Sequence, residues 1–326
     1  MNEEQLRLES IFFPYASRRR QQVYDSGKST SARFVHYTTA EAALKIITQK
    51  RLWLRNAACM ADYREMHHGF SILQWFFLDE GKRKSFEDAV DGLALGAARD
   101  AISFFDEWWR AGAIPFKTFI ASTSEHDPDE DLYGRLSMWR AFGGNSARVG
   151  MVLNIPLDVK GAEDLNLFFS PVAYFKKVEA EQWVPEVIKN ISANADYLKT
   201  IGQDKMKQWL FLMLLLGVTC VKHIGFREEK EWRAVYCPQL YPSQIIKPTT
   251  QIVNGVPQSV YELPLDKNVD SQLENLDFAR LFDRLIIGPS PYPLAMSDAF
   301  FRALSDAGVA EVEQKIFILD IPIRSM

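Results

Sequence analysis

The amino-acid sequence predicts an α+β fold in which large helical insertions interrupt a mixed or antiparallel sheet. Three observations carry this. Short aromatic and β-branched runs recur from residue 33 to residue 321. Between them lie blocks of helical periodicity rather than one helix per strand. Neither G-x-G-x-x-G nor G-x-x-x-x-G-K-[ST] occurs, so the two commonest phosphate loops are absent.

Residues 1–32 read as a loosely packed leader, with Ile11 to Tyr15 docking on the body and Arg18-Arg19-Arg20 on a solvated helix face. A single α+β domain then fills 33–326. It opens on the strand Phe34-Val35-His36-Tyr37. Thr38 and Glu41 make a T-x-x-E capping box, in which hydroxyl and carboxylate satisfy the first free amides of a helix. Ala42, Ala43, Leu44, Ile46 and Ile47 give that helix an apolar face, and Arg51-Leu52-Trp53-Leu54 resumes an extended run.

A helical insertion follows over about 64–112, where Phe70, Leu73, Phe76 and Phe77, then Phe104, Phe105, Trp108 and Trp109, recur at three- and four-residue steps. Gly81 and Lys82-Arg83-Lys84 mark a turn inside it. Strands return at 118–124 and 149–155, separated by an acidic loop and a short helix carrying Met138, Trp139 and Arg140. A strand over 168–176 leads to a second helical insertion, 181–223. Its apolar run from Trp209 to Val221 is shorter than the roughly 20 residues that span a bilayer, so it predicts a buried core helix. Glu231 to Tyr236 is strand-like, and 240–265 reads as a hairpin with its turn at Asn254-Gly255. The chain closes on strand 285–288, helix 295–306 and strand 315–321.

The 47% apolar content supports a sizeable core, and a net charge of −4 argues against a broad polyanion-binding surface. Cys59, Cys220 and Cys237 form no C-x-x-C pair, and Met1-Asn2-Glu3-Glu4 is acidic where a signal peptide would be basic. The expectation is a soluble, cytoplasmic protein with no membrane partner.

Read as a strand, 229–236 places Glu229, Glu231 and Arg233 on one face, opposite Lys230, Trp232, Ala234 and Tyr236. Two acids on one face need a cation between them, either Arg233 or a cationic ligand. His36 ends a strand beside a helix N-terminus, where backbone amides favour anions. Taken alone, a histidine in an aromatic strand is more often a hydrogen-bonded core residue. Asp62, Glu65, His67 and His68 form a competing metal constellation, but they lack the i, i+4 histidine pair of helical zinc sites.

Several motifs occur together in one order. His36-Tyr37-Thr38 comes first, then Met60 to Glu65, Ser122-Thr123-Ser124, Ser137-Met138-Trp139, Glu229-x-Glu231-Trp232-Arg233 and Ile286-Ile287-Gly288-Pro289. This order resembles a large bacterial family of unknown function described beside abortive-infection, or phage-defence, proteins. The resemblance runs from about residue 33 to 324. The strand–His–x–Thr–helix opening is also similar to the histidine-type branch of the ADP-ribosyltransferase fold, which includes poly-ADP-ribose polymerases. The Ser-Thr-Ser and E-x-E motifs look like its arginine-type branch.

That resemblance implies an ADP-ribosyltransferase-like sheet core and NAD as a substrate. In glycosyl transfer from NAD, a carboxylate stabilises the positive charge that develops on ribose. Glu231 would hold the nicotinamide ribose and that cation, and Glu229 would orient or deprotonate the acceptor. His36 would bind the adenosine-side ribose and Thr38 would seat the dinucleotide. Tyr37 stands where many histidine-type members have glycine, so it crowds or lines the site. Ser122, Ser124 and Arg233 would support the cleft, with Trp139 or Tyr63 as an aromatic wall for nicotinamide. The implied function is NAD-dependent ADP-ribosyl transfer or NAD consumption in phage defence, toward a protein, nucleic-acid or small-molecule acceptor. The alternatives are a non-catalytic module sensing a nucleotide or phage component and, third, a metal-dependent nuclease.

Overall fold

A computed structural model describes residues 3–25, 29–59, 63–141, 147–157, 162–253 and 255–319, with backbone alone at 63–65, 141, 162–163, 177–178, 180–181 and 272. In chain order the elements are α1 (Glu3–Phe12), α2 (Pro14–Val23), β1 (Ser31–Thr39), α3 (Ala40–Gln49) and β2 (Arg51–Asn56). Next come α4 (Tyr63–Leu78), α5 (Glu80–Asp91), α6 (Ala97–Arg110), α7 (Ala113–Lys117), β3 (Phe119–Glu125), α8 (Leu136–Ala141) and β4 (Arg148–Pro156). They are followed by α9 (Ala162–Leu165), β5 (Leu167–Pro171), β6 (Ala173–Tyr174), α10 (Lys177–Ala193), α11 (Ala195–Thr200), α12 (Gln203–Thr219), β7 (Val221–Lys222) and β8 (Glu231–Tyr236). The last are β9 (Lys247–Val253), β10 (Val256–Pro264), α13 (Phe278–Leu281), β11 (Phe282–Ile287), α14 (Pro293–Asp306) and β12 (Ile316–Ile318). The fold is α+β, with antiparallel pairing everywhere in the main sheet except between β11 and β12.

The main sheet is forked. One edge of β3 pairs with β8 along its length, from Phe119↔Tyr236 to Ser124↔Glu231, and β5 extends that branch. The other edge is shared: β1 pairs only at Phe34↔Glu125 and Val35↔Ser124, and β2 only at Arg55↔Ile120 and Asn56↔Phe119. Beyond Val35 β1 leaves β3 and stays with β4, which it pairs along its whole length from Ser31↔Pro156 to Thr39↔Arg148, while β2 pairs with β10. α3 wedges the two arms apart. Its Ala43, Ile46 and Ile47 bury against Leu52 and Leu54 of one arm and Val149 and Met151 of the other, and that burial stabilises the split.

A helical core covers the opposite face of β3 and β8 at Ile120 and Val235. Its centre is α12, buried from Leu210 to Thr219, as the apolar run 209–221 predicts. α4 crosses α12 at backbone contact: a Cβ on Gly69 would lie 2.7 Å from the Val218 carbonyl oxygen. Gly69→Ala is therefore expected to force the helices apart and to cost about 1–3 kcal/mol in a denaturant melt. Among the described residues no helix is long and apolar enough to cross a membrane.

Several expectations need correction. Residues 3–23 are not a loosely packed leader: Leu8, Ile11 and Phe12 sit in the helical core. Only Arg18 of the basic triplet is exposed. Arg20 is buried on Glu9 (2.9 Å), and Arg19 pairs with Glu125. The cap of α3 is Thr39, which accepts from Ala42 N at 3.1 Å, rather than Thr38, because pairing with β4 holds the strand one residue longer. The break between α4 and α5 falls at Asp79, whose side chain caps Lys82 N, so Gly81 and the basic run lie inside α5. Asn254 of the expected hairpin turn lies outside the described residues.

Candidate functional site

Directly paired residues share a face of a sheet, and side chains alternate along each strand. The register therefore sorts the expected site residues. Glu231 pairs with Ser124 and Arg233 with Ser122, and Ser124 pairs with Val35. Glu231, Arg233, Ser122, Ser124, Val35 and Tyr37 thus share one face. His36 and Thr38 lie on the other, with Phe34 and Trp232. His36 and Glu231 consequently do not face one cleft, as the dinucleotide arrangement required; β1 runs through both positions in unbroken register with β4.

Lys222, which the sequence reading does not single out, sits beside Glu229 and Glu231. Its ammonium lies 2.6 Å from Glu229 Oε2 and 2.9 Å from Glu231 Oε2. Arg233 completes the clamp, with Nε 2.8 Å from Glu231 Oε1 and Nη2 3.1 Å from Oε2, while its Nη1 donates to the Thr219 carbonyl at 2.6 Å. Glu231 is 6% exposed. Burial pushes its carboxyl upward, but the Arg233 and Lys222 charges outweigh that and hold it ionised, with a pKa of about 2. Glu229 is not on the strand as expected: it ends a 3-10 turn, Lys230 is left-handed (φ 43°) and β8 begins at Glu231, so it is Lys222 of β7 that brings the two acids together and joins Arg233 in neutralising them. A lysine directly after the longest apolar run was the one sequence signal for this.

On the same face, Tyr37 and Trp139 meet edge-on at 4.9 Å, and both are buried. Trp139 covers Gly150 and Gly288, at which a Cβ would come within 3.4 Å and 2.8 Å of its ring. The Tyr37 hydroxyl accepts from Arg135 N at 2.7 Å, and the Arg135 guanidinium donates to the Glu229 carbonyl at 2.9 Å. Trp139 is thus a packed wall of the face, and Arg135 ties it to the acidic pair.

His36 fills the notch of the fork. Its Nδ1 lies 2.8 Å from the Ser122 carbonyl oxygen, on the stretch of β3 edge that neither β1 nor β2 pairs. A carbonyl only accepts, so Nδ1 carries the proton. Burial lowers the ring's pKa against that hydrogen bond, which favours the neutral form.

The Tyr63 side chain, Asp62 and the Glu65 side chain lie outside the described residues. His67 stacks edge-on against Trp109, whereas His68 turns to the Phe175 carbonyl and the His223 ring. The adjacent histidines diverge, and among the described residues no group of three metal-ligating side chains forms.

Residues 138–234 match a family described as "Protein of unknown function (DUF2971)". No curated protein and no solved structure matches the chain. The matched stretch is narrower than the resemblance over 33–324. It holds Trp139, Lys222, Glu229, Glu231 and Arg233, while His36 and Ser122 lie before it.

Proposed function

We propose that the chain is a nucleotide-binding module on an ADP-ribosyltransferase-like core, which recognises NAD or a chemical relative without turning it over, in the phage-defence setting that the resemblance implies. The state of Glu231 carries this reading. A carboxylate stabilises a sugar cation only if one of its oxygens can approach the ring to roughly 3 Å. Both Glu231 oxygens are taken by Arg233 and Lys222. His36, which would hold the second ribose, is on the other face and occupied by a backbone carbonyl. An ionised but saturated carboxylate is a structural charge centre.

A second reading, NAD-dependent transfer, draws support from Glu229. Its carboxylate is 21% exposed at the rim of the Lys222 cluster, where it would orient or deprotonate an acceptor. Calorimetry and a nicotinamide assay separate the two. Titration with NAD is expected to show binding, with nicotinamide release no faster than in a protein-free control. Release that disappears in Glu229→Gln and Glu231→Gln would replace this reading with the transferase. No binding of NAD would remove both.

A further inference from the structure

The Glu231 face of the fork also carries two arginines that the acidic pair does not explain. Arg55 pairs directly with Ile120, which shares the face of Ser122 and Glu231. Arg148 lies two and four residues before Gly150 and Val152, and Val152 pairs with Val35 on that same face. One arginine therefore stands on each arm of the fork, on one side of the sheet.

Both are half-buried, and among the described residues neither is paired with a carboxylate. Arg55 donates only to neutral oxygens, the Cys59 carbonyl at 3.2 Å and Gln258 Oε1 at 3.3 Å. The Nε of each arginine is buried without a hydrogen-bond partner, and so is the indole Nε1 of Trp53, which shares the face of Arg55. Arg33 also leaves its Nε unpartnered, so what sets Arg55 and Arg148 apart among the described residues is the lack of a carboxylate, which other partly or fully buried arginines have. Arg33 meets Asp131 and Asp283, Arg20 meets Glu9, and Arg233 meets Glu231. Burial lowers the pKa of Arg55 and Arg148, whereas the acids beside Arg33 raise its own. A guanidinium removed from water without an anion is costly, and a buried donor without a partner calls for a ligand, an ion or water. The carboxylate nearest in register to Arg55 is Glu262, which pairs directly with Trp53 and meets Arg51 at 3.3 Å, and Glu231 further along the face is held by two cations, so both acids are already neutralised.

We propose that Arg55 and Arg148 bind the diphosphate of a ligand laid across the mouth of the fork, one guanidinium on each side, with Trp53 donating from the β2 arm. Guanidinium and phosphate oxygens match in bidentate geometry, which is why arginine suits this task better than lysine. The inference rests on the nucleotide reading above and names the part of the nucleotide that is gripped. A dinucleotide and a free diphosphate share this chemistry.

Calorimetry on the full chain with NAD and with inorganic pyrophosphate tests it. The unaltered chain is expected to bind both, and Arg148→Met and Arg55→Met are each expected to weaken both by roughly ten- to a hundredfold. Arg148→Lys should retain part of the binding. Melting temperatures of the methionine variants should not fall, because each change removes an uncompensated cation; a fall of the size that unfolds the chain would mark the arginines as structural and overturn the proposal. Unchanged NAD affinity in both variants would overturn the diphosphate site and leave the nucleotide reading standing. Arginine-dependent pyrophosphate binding without NAD binding would do the reverse. No binding of either ligand would remove both.

Discussion

Replacing Glu231 by glutamine is expected to cost about 3–5 kcal/mol of stability, among the largest effects of any single polar substitution in this chain. The amide keeps the size of the carboxylate, so packing is nearly unchanged and the loss is electrostatic. Arg233 keeps its hydrogen bond to the Thr219 carbonyl but loses its ion pair with Glu231, while Lys222 retains Glu229. Removing the Arg233 charge as well, in the double variant Glu231→Gln, Arg233→Met, should restore part of the loss, and a double-mutant cycle in urea measures that coupling.

The same carboxylate gives the protein an acid limit. Its folded pKa of about 2 lies below the ordinary 4.5. A depressed value means that the stabilisation is fully present above about 4.5 and is lost as pH falls toward 2. The difference amounts to about 3 kcal/mol. Glu231→Gln should flatten that part of the stability profile.

Replacing His36 by alanine is expected to cost about 2–4 kcal/mol, because it opens a cavity at the notch and strips the Ser122 carbonyl of its partner. NAD affinity should change little if His36 is the strut inferred from its position, and calorimetry on the folded variant checks this. Thermal melts at several pH values give a second readout. The ring's folded pKa lies below its ordinary 6.5. Stabilisation from the neutral ring is therefore complete above 6.5 and fades as pH falls through the lower folded value. His126 is shifted the same way, first by burial, so it should leave a residual fall in the His36→Ala variant. A profile identical to that of the unaltered chain would show that His36 does not titrate as inferred.

Local chemistry made much of the architecture legible. The apolar run before Lys222 is a buried helix, the aromatic runs at 34–37, 119–125 and 231–236 are strands, and the period of two correctly separated Glu231 and Arg233 from Trp232. The family-level match over 138–234 falls on the stretch that carries the E-x-E motif. Less visible was anything that depends on what a strand meets across the sheet. Arg20 looks like a surface residue until α2 is laid against Glu9, and Lys222 looks like the polar end of a helix until β7 turns it between two glutamates.

The histidine inside β1, three residues before the strand ends at Thr39, shows the division most clearly. The sequence by itself determined that His36 lies on a strand, that a capped helix follows that strand, and that Glu231 and Arg233 share a face of a later one, because these are matters of periodicity and capping within a few residues. Only the tertiary structure decided that β1 and β2 part along one edge of β3, which leaves the Ser122 carbonyl for the His36 ring and sets Glu231 on the far face. Side-chain alternation fixes faces within a strand, but relative faces on different strands follow from register, and register is set by long-range pairing.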